Sequence, residues 1–153
     1  MRVEACIDAA ASPERVWEVI ANPHRVPEVL AGVTRWDVAG DVERGLGARY
    51  RVLMRVGSID VGGVVEVVEF DEPRDLAWHS VTGIDHRGRW RVRPLERGRS
   101  RVHLRLSYSA PGGLLGLLAD RVAAPMVRSN LRRSLARLQR AGLDAEPVDL
   151  LAP

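Results

Sequence analysis

His86 and Tyr108 are the residues best suited to move a proton, because each is a titratable or hydroxyl-bearing side chain on the apolar parity of an alternating segment. Around them the same parity carries Trp36, Tyr50, Val52, Met54, Trp78, Ser80, Trp90, Val92, Leu104 and Leu106. Met126 and Asn130, one helical turn apart, can border this set from a downstream helix. Such a mixture of aliphatic wall, aromatic plates and a few polar tips suits a pocket for an apolar molecule. Any one of these residues is more commonly plain core, and the set as a whole suits a cavity and a solid core about equally. The simplest role for His86 is a solvated strand end, and for Tyr108 a hydrogen bond at the rim. No further catalytic residue is assigned.

Other chemistries are excluded by spacing. His24, His79 and His103 make no pair four apart on a helix, and no carboxylates cluster beside them, so no metal is expected. Cys6 is the single cysteine, which excludes a disulfide scaffold and a multi-cysteine zinc module. Gly45-Leu46-Gly47 lacks the third glycine and following helix of a dinucleotide site, and neither a nucleophile elbow nor a phosphate-binding loop occurs. No cofactor is expected.

These residues sit on elements that the sequence punctuates clearly. Val3 to Ala9 reads as a strand. Ser12-Pro13-Glu14 starts a short helix, with Ser12 as cap and Pro13 at the first turn. Asn22-Pro23 stops it, and a second short helical piece ends near Gly32. From Val33 to Ser109 the apolar period is two, through about six strands separated by turns at Gly45-Leu46-Gly47, Gly57-Ser58, Asp71-Glu72-Pro73 and Arg97-Gly98. The pair Gly62-Gly63 and the run Val64-Val65 suggest a bulge in the strand Ile59 to Phe70. Leu114 to Gly142 reads as one long helix with Val127, Leu131, Leu135 and Leu138 on one stripe and Pro125 kinking it. The fold class is therefore α+β: strand, two short helices, an antiparallel meander with one wet face, and a long helix to cover the other.

Length and composition agree. The 153 residues correspond to one domain. At 46% hydrophobic and 28% charged the chain is globular and not disordered. Its longest nearly unbroken apolar stretch, Gly112 to Ala119, is too short to span a bilayer, and Glu4 and Asp8 interrupt the N-terminal apolar stretch, so no signal peptide is read. A reduced, cytoplasmic protein, monomer or homodimer, is the expectation. All 23 basic residues are Arg against 20 acids, a net charge of +3, which suggests a GC-rich genome. Residues 1–83 hold 9 Arg and 14 acids, residues 84–153 hold 14 Arg and 6 acids. Arg87, Arg89, Arg91 and Arg93 share a strand face, with Arg101 and Arg105 across from them. That basic ladder is either a solvated outer face or a contact for an anionic membrane or ribosome. A nucleic-acid module is disfavoured, because the aromatics fall on the opposite face.

Several passages carry a resemblance. Ala11-Ser12-Pro13-Glu14-Arg15-Val16-Trp17, Asn22-Pro23-His24-Arg25-Val26-Pro27-Glu28, Gly45-Leu46-Gly47-Ala48-Arg49-Tyr50, the acidic proline turn from Glu69 to Trp78, Trp90 to Leu95, and Gly98 to Val102 occur in order over about residues 3 to 142. In this the chain resembles the START-like helix-grip (SRPBCC) superfamily, in its polyketide cyclase/dehydrase and lipid-transport branch. The resemblance implies a curved antiparallel sheet of about seven strands wrapped around the C-terminal helix, with an internal apolar cavity. It implies a domain over residues 1–142, with 143–153 as a fraying acidic tail. It further implies a hydrophobic ligand (lipid, acyl chain or polyketide-like) held between sheet and helix by a carrier or sensor. A cyclase or dehydratase acting in the same cavity is the alternative.

Overall fold

The computed structural model describes residues 2–56, 58–109 and 113–144, and within these it leaves out the side chains of residues 56, 59, 113–123 and 141–144. In chain order the elements are β1 (Arg2–Ala9), α1 (Pro13–Ile20), α2 (Val26–Val29), β2 (Val33–Val38), β3 (Arg49–Val56), β4 (Ile59–Asp71), β5 (Asp75–Ser80), β6 (His86–Pro94), a 3-10 turn at Glu96–Gly98, β7 (Ser100–Tyr108) and α3 (Gly113–Asp144). The strands form one antiparallel sheet in the order β1-β7-β6-β5-β4-β3-β2. Short connections make each strand from β3 onward pair with its predecessor, and β7 pairs in addition with β1. The helical excursion α1–α2 carries the chain from β1 at one edge to β2 at the other.

Local chemistry sets the ends of α1. The Ser12 hydroxyl accepts from the Arg15 N–H at 3.4 Å, and Pro13 occupies the first turn, where no amide partner is lost. The helix turns Val16, Trp17, Val19 and Ile20 inward, and Trp17 is fully buried. It packs on β6 and so fills part of the sheet's concavity.

The period-two reading of the sheet is correct in parity. Across the inner face His86 stands opposite Tyr108, Gly88 opposite Leu106, Trp90 opposite Leu104, Val92 opposite Val102, and Trp78 opposite Gly88. Two details differ. In β2 the register shifts between Val33 and Arg35, and Val38, on the parity of Trp36 but at the end of this edge strand, is exposed. In β4 no bulge occurs at Gly62-Gly63, where pairing with β3 runs unbroken; the shift falls between Val67 and Glu69, against β5. The glycines serve close approach instead, because a Cβ at Gly63 would lie 2.3 Å from the Thr82 carbonyl oxygen.

Helix α3 runs unbroken through Pro125 and lies chiefly on β1. Its buried stripe is the expected one, Val127, Leu131, Leu135 and Leu138. Two polar residues lie buried beside it. Ser134 Oγ accepts from the Ala31 N–H at 2.8 Å and donates to the Asn130 carbonyl at 2.7 Å. Asn130 Nδ2 reaches the Arg55 carbonyl at 3.5 Å, beside Gly32, whose φ of +88° and missing Cβ make room for it. These contacts fasten the junction between α2 and β2 to α3. Of the tail expected at 143–153, residues 143 and 144 belong to α3, and residues 145–153 lie outside the described residues.

Candidate ligand cavity

A small apolar cavity of about 20 Å3 lies between the bend joining α1 to α2 and the inner face of β2, β3, β4 and β5. Ile20, Ala21, Pro23 and Val26 close it from the helices, and Trp36, Tyr50 and Trp78 wall it from the sheet. One ring pair is tilted and the other is edge to face. Trp36 and Tyr50 stand 5.3 Å apart at 32°, and Trp36 and Trp78 stand 6.3 Å apart at 87°. The Tyr50 hydroxyl donates to the Glu43 carbonyl at 2.7 Å. Burial raises the Tyr50 phenol above its ordinary value, Arg44 opposes this and Glu43 adds to it, so the group is a fixed donor.

The segment from residue 39 to 48, between β2 and β3, covers this cavity at Gly45. Gly45 and Gly47 adopt φ of +93° and +84°, which turns Leu46 outward. Exposed polar contacts hold the segment down. His24 Nε2 meets Glu43 Oε1 at 3.0 Å, Arg44 meets Glu72 at 3.6 Å, and the Arg44 guanidinium sits 5.9 Å from the Phe70 ring centre. Pairs exposed to this degree contribute at most about 1 kcal/mol each.

The structure brings together only part of the expected site. Trp36, Tyr50 and Trp78 share the cavity, whereas Trp90 and Leu104 are sealed in the core. Met126 is 42% exposed and does not border the inner space, because it flanks the stripe by which α3 lies on β1. Asn130 is buried, but its amide is engaged with the Arg55 carbonyl and its oxygen with the Arg133 guanidinium. The described cavity is bounded by the short helices and not by α3, contrary to expectation, because α1 occupies the hollow above β6.

The remaining inward residues are only half-buried. They are Met54, Ser80, His86, Leu106 and Tyr108, whereas Trp90, Val92 and Val102, toward α1 on β6 and β7, are closed off. Burial of the concave face is thus graded along the strands. The Ser80 hydroxyl accepts from the His86 backbone N–H at 3.0 Å, and His86 Nδ1 lies 2.9 Å from the Ile84 carbonyl. His86 and Tyr108 are direct cross-strand partners. Sequence reasoning missed Phe70, Val67, Leu76 and the helix residues of the cavity wall. Leu76 shares the parity of Trp78, and the order of short helix, Asn22-Pro23 bend and short helix pointed to the mouth without naming its residues.

The arginine ladder forms on the outer face, yet Arg89, Arg91, Arg93, Arg101 and Arg105 face acids. Arg89 pairs with Glu69 at 2.5 Å, Arg93 and Arg91 with Asp75 at 3.2 and 3.7 Å, Arg101 with Asp8 at 2.9 Å, and Arg105 with Glu4 at 3.9 Å. The hydrogen bond from Arg101 chiefly lowers the Asp8 carboxyl below its usual range. A depressed carboxylate stabilises the fold above its unfolded value, near pH 3.9, and that stabilisation disappears as the pH falls through the lower folded value. Asp8→Asn should therefore flatten the acid limb of a stability-against-pH curve below about pH 4. An unchanged limb at low salt would refute the pairing.

A seven-stranded antiparallel sheet gripping a C-terminal helix, with an apolar hollow on its concave side, defines the START-like helix-grip class. Within that class the chain belongs to the polyketide cyclase / dehydrase and lipid transport family, whose profile matches residues 1–142. Among curated proteins none matches. Solved structures with the same fold include a protein from Thermus thermophilus, with a TM-score of 0.82 and 23% identity over 96% of this chain and 100% of that one. A START superfamily protein from Mycobacterium smegmatis superposes with a TM-score of 0.77 at 12% identity, covering 95% and 99%. The Zhui aromatase/cyclase from a Streptomyces species gives 0.71 at 19% identity, covering 92% and 94%. Among the described residues no helix is long and apolar enough to cross a membrane, and no group of three metal-ligating side chains occurs.

Proposed function

We propose that the protein binds a hydrophobic small molecule, a lipid, acyl chain or polyketide-like compound, against the concave face of its sheet, as a carrier or sensor. The observation that supports this best is the graded burial of that face. Its half toward α1 is sealed, while apolar and aromatic side chains at the other half, Met54, Leu106 and Tyr108, are left half-buried. Covering a few hundred Å2 of such surface contributes several kcal/mol at ~25 cal/mol per Å2, before the costs of association. A void of about 20 Å3 admits such a molecule only if its cover moves. In the segment from residue 39 to 48 the side-chain pairs of Glu43 and Arg44 are exposed and break cheaply. The part that moves is therefore the stretch between the Ala39–Arg49 and Gly47–Val67 backbone hydrogen bonds, and its opening also releases the Tyr50 hydroxyl from the Glu43 carbonyl. Native mass spectrometry of freshly purified protein, with displacement of a lipophilic dye, tests this. Co-purifying lipid or saturable dye binding is expected. No bound species together with a solidly filled interior in a crystal would overturn it.

A cyclase or dehydratase acting in the same hollow is the second reading, and the opposition of His86 and Tyr108 across β6 and β7 favours it. A hollow that holds a reactive chain in one folded conformer gains rate by proximity. Replacement of either residue by Phe should then lower turnover of a polyketide-type substrate at least about tenfold with affinity unchanged. Equal turnover in both variants would remove the two residues from any mechanism.

A further inference from the structure

We propose that the indole N–H of Trp36 is the polar anchor of the cavity, donating to an acceptor oxygen on an otherwise apolar, flat ligand. This rests on the ligand-binding reading above. Among the described residues, the buried side-chain polar atoms without a hydrogen-bond partner are Nε1 of Trp17 and Nε1 of Trp36. Trp17 is fully enclosed in the core and takes no part in the cavity wall, whereas Trp36 lines it. Tyr50, its neighbour, has already committed its one proton to the Glu43 carbonyl. A buried donor without an acceptor carries its desolvation cost unrelieved, and an acceptor arriving with the ligand removes that cost. Water is a poor substitute. The void could hold one molecule, but a buried water needs two to four polar partners, and Ile20, Ala21, Pro23, Val26, Val67 and Leu76 offer it apolar side chains.

The rings beside the donor narrow the ligand class further. Trp36 presents itself nearly perpendicular to Trp78 and tilted 32° from Tyr50, so the wall is made of ring faces and edges. A planar conjugated ring stacks on such a wall with little loss of freedom, and a carbonyl, hydroxyl or ether oxygen at its rim can reach the N–H. A plain hydrocarbon of the same shape satisfies the wall and leaves the donor orphaned.

Two probes separate these cases on the intact protein. 2-Acetylnaphthalene and 2-ethylnaphthalene share a ring and a two-carbon substituent, and differ in a carbonyl against a methylene. The ketone is expected to bind the wild type about tenfold more tightly, the size of one hydrogen bond to an otherwise unpaired donor. In Trp36→Phe that preference should vanish. The Trp36 indole resonance, assigned by through-bond NMR in the wild type, should move downfield with the ketone and not with the hydrocarbon, a readout that survives if the variant fails to fold. Equal affinity for both probes with an unmoved indole resonance would overturn the anchor and leave the binding reading intact. Failure of both probes to bind the wild type would overturn the anchor and the binding reading together.

Discussion

Gly88→Ala should destabilise the protein by about 3 kcal/mol, at the upper end of the cost of overpacking a core. An ideal Cβ at residue 88 would lie 2.0 Å from Cζ2, 2.3 Å from Cε2 and 2.5 Å from Cη2 of Trp78. The indole therefore rests directly on the β6 backbone, in the space a side chain would take. The two residues are register partners across β5 and β6, so the ring cannot avoid the new methyl by a small rotation. It would have to swing towards Trp36, 6.3 Å away, and into the cavity that both line. Urea denaturation measures the loss. In a Trp78→Leu background the same alanine should cost less than about 1 kcal/mol, because the flexible smaller side chain can step aside. An equal cost in both backgrounds would mean that the clash is not with the indole. The variant should also lose dye binding in the absence of urea, where it remains folded.

That glycine marks where reading the sequence stops. The alternation from Tyr50 to Tyr108 was legible because a strand has period two and one face of this sheet is buried, so parity alone sorts Trp78, Trp90 and Leu104 inward and the arginines outward. Gly88 falls on the inward parity as an apparent gap, and its purpose appears only when the β5–β6 register places Trp78 across from it. The same holds for charge. Asp8 and Arg101, or Glu69 and Arg89, are far apart in sequence and become partners only through strand order, so a ladder that looks bare in one dimension is paired in three. The cavity was expected under the long helix because that helix has the longest apolar stripe. Trp17, on a helix of eight residues, fills that space instead, and nothing in its local spacing states which strand it will meet. Met126 was misplaced for a related reason. A helical stripe is as wide as its neighbour allows, and α3 meets β1 along Val127, Leu131, Leu135 and Leu138, leaving the adjacent position in solvent.

The buried hydroxyl of Ser134 should matter more than its size suggests. It accepts the N–H of Ala31 at 2.8 Å and returns its own proton to the Asn130 carbonyl at 2.7 Å, with both Ser134 and Ala31 closed to solvent. Ser134→Ala leaves the Ala31 amide buried without an acceptor, which costs about 2 kcal/mol. The loss should be local before it is global. Hydrogen exchange at the Ala31 amide is expected to quicken well beyond what the overall destabilisation explains, since this bond ties the end of α2 to α3. Val26, in the first turn of α2, lines the cavity, so a looser junction should also speed exchange of a bound dye while changing its affinity little. Unchanged protection at Ala31 would show that the amide finds another acceptor. Unchanged dye exchange despite lost protection would place the moving part of the entrance elsewhere, in the segment from residue 39 to 48 that His24 and Arg44 hold down.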